Sequence, residues 1–179
     1  MSVEIRKLDK GALGERTIVF EYDSDGHYAV ALRACADGWD ISLRRTYFKE
    51  KFRKSEIEKL VSPVKGDSEI HAAFIDGEEA GLVQIEHQRW NNSVRVWDIG
   101  VWKPFQRRGV GKALMDVAKN RARELGARRI VLETQTSNLK AIDFYRFCGF
   151  EPVGLDATHY TNDDLEKGEV RLELAWRVE

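Results

Sequence analysis

From Val94 to Met115 the chain sets out strand-forming residues (Val94-Arg95-Val96-Trp97-Asp98-Ile99-Gly100-Val101), a short loop holding Pro104, and two glycines that open an amphipathic helix. Val110, Leu114, Val117, Ala118, Ala122 and Leu125 fall on one helical stripe, and Gly126 supplies the stop. A helix start is thereby tied to the end of a buried strand. The first turn of a helix presents unpaired N–H groups and the positive end of its dipole, and Gly109 and Gly111 put no side chain in front of them. Gln106, Arg107, Arg108 and Lys112 add donors and positive charge around the same point. The combination predicts a phosphate cradle.

The spacing is not that of a triphosphate-binding loop, and the third glycine of a dinucleotide fingerprint is missing. Gln106-Arg107-Arg108-Gly109-Val110-Gly111 instead resembles the Gln/Arg-x-x-Gly-x-Gly/Ala signature of the GNAT superfamily of acetyl-CoA-dependent N-acetyltransferases. Further on, Asn138, Ala141, Phe144, Tyr145, Gly149 and Phe150 resemble that superfamily's second signature. Within it, Leu132-Glu133-Thr134-Gln135, Asn138-Leu139, Phe144-Tyr145, Cys148-Gly149-Phe150, Asp156 and Tyr160 look like the streptothricin acetyltransferases. The resemblance covers the chain from about Val94 onward and is weak before Lys65.

It implies an α/β (α+β) GNAT fold: a mixed, mostly antiparallel sheet with a central splayed parallel strand pair, flanked by helices. It also implies coenzyme A pyrophosphate on the loop from Gln106 through Arg107, Arg108, Gly109, Val110, Gly111 and Lys112 to Ala113. Pantetheine would lie along Ile99, Gly100 and Val101, with Asn138 and Tyr145 beside it.

With 179 residues the chain is expected to fold as a single domain over 17–179, its signature-bearing core at 66–179, after an irregular arm over 1–16. No apolar run reaches spanning length and Met1-Ser2-Val3-Glu4-Ile5-Arg6 has no signal-peptide pattern, so a cytoplasmic protein without a membrane partner is expected. Cys35, Cys148 and four scattered histidines show no metal-ligand spacing, and no metal is expected. Nine Lys or Arg against two acids between Lys103 and Arg129 favour a polyanionic ligand, while eight acids against three bases from Phe150 to Glu179 suit a cationic one. The basic stretch has no interleaved aromatic platform, so no nucleic-acid partner is expected. Tryptophans and an expected edge strand at Arg171–Trp176 leave a homodimer open.

In chain order, Thr17–Tyr22 is expected as a short strand, and Tyr28–Ala34 and Trp39–Arg44 as a hairpin turning at Asp37-Gly38. Tyr47–Leu60 is expected as a helix ending before Pro63. Glu69–Ile75, Ala80–Trp90 and the strand at Val94 form an antiparallel meander, and the helix from Gly109 then leads to a strand over Arg128–Thr134. Strand, helix and strand have the length of one right-handed crossover, which places the two strands parallel and adjacent. Ser137 or Asn138 caps the next helix and Gly149 ends it, with Asn138 and Tyr145 two turns apart on one face.

Acetyl transfer to an amine needs a held thioester, a neutral amine, a donor for the developing oxyanion and a proton for the departing sulfur. Asp98, Glu86 and Glu133 are the candidate proton acceptors, with a substrate-orienting or fold-stabilising role for Asp98 an equal alternative. The resemblance makes Tyr145 the proton donor to sulfur. Trp97, Asp98, Glu133, Asp156 and Tyr160 are the candidate contacts to a small cationic amine, with streptothricin implied by the narrower resemblance. A protein, peptide or polyamine acetyltransferase and a non-catalytic acyl-CoA-binding module are the competing expectations.

Overall fold

The computed structural model describes residues 2–179. Its strands and helices are β1 (Glu4–Leu8), β2 (Thr17–Cys35), β3 (Gly38–Lys59), β4 (Glu69–Ile75), β5 (Glu78–Gln88), β6 (Ser93–Val101), α1 (Val110–Glu124), β7 (Arg129–Gln135), α2 (Leu139–Phe147), β8 (Glu151–Asp156), α3 (Asp164–Lys167) and β9 (Arg171–Arg177). The chain divides into two compact units. One holds the residues up to Phe20, Glu56–Leu132 and Ala175–Glu179, and the other Glu21–Ser55 and Glu133–Leu174.

In the first unit the strands run β1-β4-β5-β6-β7. β4, β5 and β6 are the expected antiparallel meander, and β6 and β7 pair in parallel at Ser93↔Arg129, Val94↔Ile130 and Arg95↔Val131, as the crossover length requires. α1 packs on β4, β5 and β6 and buries Val110, Leu114, Met115, Ala118 and Ala122. A second apolar cluster joins Ile18, Leu60, Ile70, Ala72 and Leu82, with Leu8, Leu13, Phe20, Phe74 and Trp102 packed against it. At Gly81, β5 comes so close to β6 that a Cβ would collide with the Gly100 carbonyl, so only glycine fits there.

Three expectations are corrected. The irregular arm expected over 1–16 is ordered from Glu4 to Ala12, residue 1 lying outside the described residues: β1 pairs antiparallel with β4 from Glu4↔Phe74 to Leu8↔Ile70, and Asp9 caps a 3₁₀ turn over Lys10–Ala12. An edge strand of five residues is held by backbone pairing, which leaves little periodicity to read. Tyr47–Leu60 is not a helix but lies almost wholly in β3. Its apolar residues Phe48 and Phe52 are four apart, a spacing that fits either period, and pairing with β2 decides the outcome. The strand expected at an edge, β9, lies between β7 and β8.

In the second unit β2 and β3 form a two-stranded sheet, longer than the expected hairpin and turning at Ala36-Asp37. Rings hold it together: His27 stacks on Phe48 at 4.6 Å, Phe48 on Phe52 at 5.1 Å, and Tyr22 lies 6.0 Å from Phe52. Among the described residues no helix is long and apolar enough to cross a membrane.

Candidate active site

β6 is paired with β5 along its whole length but with β7 only as far as Arg95. Gln84 faces Asp98 and the next residue, Ile85, faces Val96, so Trp97 is an extra residue bulged out of the β6 ladder. Beyond that bulge Ile99, Gly100 and Val101 are part-exposed, and their main chain has no ladder to β7. This is the splay expected of the parallel pair.

The chain then passes through a 3₁₀ turn (Lys103–Phe105) anchored by buried Phe105 and reaches the start of α1. Gln106 braces the loop by donating from Nε2 to the Val101 carbonyl at 3.1 Å. Arg107 and Gly109 both adopt left-handed backbone, φ 63° and 83°, and a Cβ on Gly109 would meet nothing within 4 Å. Gln106, Arg107, Arg108 and Gly109 are exposed, and Arg108 lies over the Phe105 ring. The Ala113 N–H donates to the Gly109 carbonyl at 3.0 Å and is the first amide taken into the helix. The Ala113 N–H is thus used within the helix, and the amides of Val110 and Gly111 precede it in the first turn. The Val110 side chain is 1% exposed and serves the core. Lys112 is ion-paired with Asp116 at 2.6 Å, one turn along α1. The open main chain, the exposed donors and the bare glycine fit a pyrophosphate and its pantetheine arm.

Two of the candidate carboxylates sit in this unit. Asp98 is 4% exposed and accepts from Lys65 Nζ at 2.7 Å. Burial raises its pKa, and the Lys65 contact pulls it partly back. Asp98 is thus an ion-pair partner inside the fold. Glu86 is part-buried and its Oε2 accepts from the Trp97 indole N–H at 2.9 Å, while Arg95 stacks on the Trp97 ring at 4.5 Å. Trp97 is thereby held from both sides.

The second unit carries the other candidates. Asn138 caps α2, its side-chain oxygen accepting from the Ala141 N–H at 3.1 Å. With φ −87° and ψ 70° it is the N-cap, and its carbonyl accepts the Ile142 N–H at 3.0 Å. Tyr145 is 7% exposed, with its ring tilted against Phe144 and Phe150. Glu133 is ion-paired with Arg171, which also donates to Glu173 at 2.7 Å. Asp156 is exposed on β8 and accepts the Thr158 backbone N–H, which lowers its pKa. Tyr160 is 38% exposed, with the Lys54 ammonium 5.5 Å from its ring centre.

Two residues were not picked out from the sequence. Lys65 carries no local signal of burial, since nothing in Pro63-Val64-Lys65-Gly66 shows that a carboxylate lies above it. Tyr22 contributes a hydroxyl that bonds Gln135 and Ser137, just before α2, and only the alternation of its strand could have suggested an inward side chain. Among the described residues no cluster of three His, Cys, Asp or Glu side chains is placed to hold a metal ion.

Residues 34–150 match the acetyltransferase (GNAT) family. A streptothricin acetyltransferase of Streptomyces lavendulae is 38% identical over 89 residues, 50% of this chain and 47% of that protein, so this match spans about half of the relative's length. A streptothricin acetyltransferase of Escherichia coli is 28% identical over 158 residues, 86% of this chain and 87% of that protein. Among solved structures, a Bacillus anthracis protein in complex with acetyl coenzyme A superposes with a TM-score of 0.79 at 28% identity, over 100% of both chains.

Proposed function

Given that the chain belongs to the acetyltransferase (GNAT) family and is an acetyl-CoA-dependent N-acetyltransferase, we propose that its acceptor is a primary amine of a small cationic molecule, streptothricin, acetylated by direct transfer in a ternary complex. The observation that carries the choice of acceptor is the similarity to a streptothricin acetyltransferase across 86% of this chain.

Acetyl-CoA supplies an activated acetyl thioester. The residues of this chain do the rest. Val110 and Gly111 amides, with Arg107 and Arg108, hold the pyrophosphate, and the β6 main chain at Ile99–Val101 receives the pantetheine as an added strand and offers one N–H to the thioester carbonyl. An alkyl ammonium has a pKa of about 10.4 and must lose its proton before it can attack. Asp98 and Glu133 are each committed to a cation, which leaves Glu86, directly or through water, as the acceptor of that proton. The Tyr145 hydroxyl gives a proton to the leaving sulfur. Trp97, Asp156 and Tyr160 are the proposed contacts to the acceptor.

Free-thiol release from acetyl-CoA, measured with streptothricin, spermidine and lysine-containing peptides, tests the reading. Turnover with streptothricin at least about tenfold above the others is expected. Preference for a peptide or polyamine overturns the acceptor.

The cradle makes a separate prediction. Gly111→Asp puts a carboxylate at the positive end of α1, which favours the helix and repels a phosphate. The melting temperature is expected to hold or rise while the KM for acetyl-CoA increases about tenfold or more. An unchanged KM removes the pyrophosphate from this loop.

A further inference from the structure

We infer that Lys65 is a positioning residue for the acetyl-CoA site: its buried bond to Asp98 fixes the course of β6 immediately before Ile99, Gly100 and Val101. The inference rests on the reading of those three residues as the pantetheine strand.

β6 has lost its β7 neighbour and gained a bulge by the time it reaches Asp98, so among the described residues the ladder to β5 is what pairs its backbone there. The side chain of Asp98 supplies a second restraint. Lys65 Nζ donates to Asp98 Oδ2 at 2.7 Å and to the Lys59 carbonyl at 2.9 Å, with Glu58 at 3.4 Å. The Lys65 and Asp98 side chains are 7% and 4% exposed. Opposite Asp98 on β5, buried Gln84 donates to the Leu60 carbonyl at 3.0 Å and to Ser68 Oγ at 2.6 Å. Lys10 in turn donates to Ser68 Oγ and to the Gly66 carbonyl. The segment from Lys59 to Ser68 is thus tied to two adjacent strands through one facing pair of residues.

A pair whose only task was stability would be replaceable, since a buried ion pair exchanged for apolar groups of similar volume is often neutral. A pair that sets the position of a strand is not replaceable in that way, because a shift of about 1 Å at a reacting centre can cost up to a hundredfold. The two roles separate in a double variant.

The experiment compares the full chain with Lys65→Met, Lys65→Arg and Lys65→Met/Asp98→Leu, reading melting temperature, coenzyme A affinity by calorimetry, and the KM values for acetyl-CoA and acceptor. Lys65→Met alone is expected to melt lower and the double variant to regain most of the loss. Coenzyme A binding and the acetyl-CoA KM in the double variant are expected to remain about tenfold weaker, with the acceptor KM within about twofold. A double variant that regains both its melting temperature and its affinity overturns the inference. If the double variant does not regain stability, Lys65→Arg decides: it keeps the charge but carries a broader head, so an unchanged affinity for coenzyme A overturns the inference and a loss of about threefold supports it. A wild-type protein that fails to bind coenzyme A defeats the pantetheine reading itself, a result distinct from equal binding by wild type and variants.

Discussion

Tyr145→Phe is expected to lower kcat by about a hundredfold or more while the affinity for coenzyme A stays within about a factor of two. The substitution keeps the ring that packs against Phe144 and Phe150 and removes only the hydroxyl, so the fold is expected to lose no more than about 1 kcal/mol. The large effect follows from the chemistry of the leaving group. Without a positioned proton the thiolate must depart as an anion, and general acid catalysis contributes about 10²–10⁴ in such steps. Single-turnover kinetics at saturating acetyl-CoA give the decisive measurement. A wild-type rate in Tyr145→Phe removes the phenol from the reaction, and a weakened coenzyme A affinity with unchanged kcat reassigns it to binding.

What the sequence made legible follows the range of the forces involved. The β6–loop–α1–β7 stretch could be read because each of its signals is local: a run of strand formers, a glycine at the helix start, a stripe at helical spacing, and a crossover of fixed handedness. Its parallel pairing and its helix start behind a left-handed Gly109 agree with that reading. The β2–β3 ribbon could be read only near its turn. Between Tyr47 and Leu60, Phe48 and Phe52 satisfy both periods, and what selects the strand is a set of ring contacts to Tyr22 and His27, far back along the chain on β2. β1 shows the same limit, because its stability comes from β4, which lies well downstream beyond the whole ribbon. The site divides along the same line. Gly109 and Gly111 announce themselves, whereas the proposed choice of proton acceptor rests on which carboxylates have already met a cation. Asp98 and Glu133 have met one, through Lys65 and Arg171, and neither partner is near its carboxylate in sequence.

Lys65→Met is expected to destabilise the fold by about 3–5 kcal/mol at pH 8, because it leaves the Asp98 carboxylate buried without its counter-charge. The loss is expected to shrink as the pH falls. Burial already holds the folded-state pKa of Asp98 above its ordinary value, with Lys65 acting in the opposite direction and Glu58 adding to the rise. A carboxyl whose folded pKa is raised contributes stability that is complete below its unfolded pKa, about 3.9, and is lost as the pH rises through the folded value. Removing Lys65 raises that folded value further. The window of loss then extends upward from about pH 4, with a slope of up to about 1.4 kcal/mol per pH unit where Asp98 ionises in the unfolded chain but not in the folded one. Urea unfolding of wild type and variant at about pH 5, 6, 7 and 8 provides the test, and a difference that stays constant across this range rejects an ionised, Lys65-compensated Asp98. Lys59→Met serves as the control: that lysine pairs with Glu15 on the surface, where both side chains are more than half exposed, and its loss is expected to shift stability by less than about 0.5 kcal/mol at every pH. The contrast between the two lysines locates the effect in the dielectric around Asp98 and not in the number of ion pairs removed.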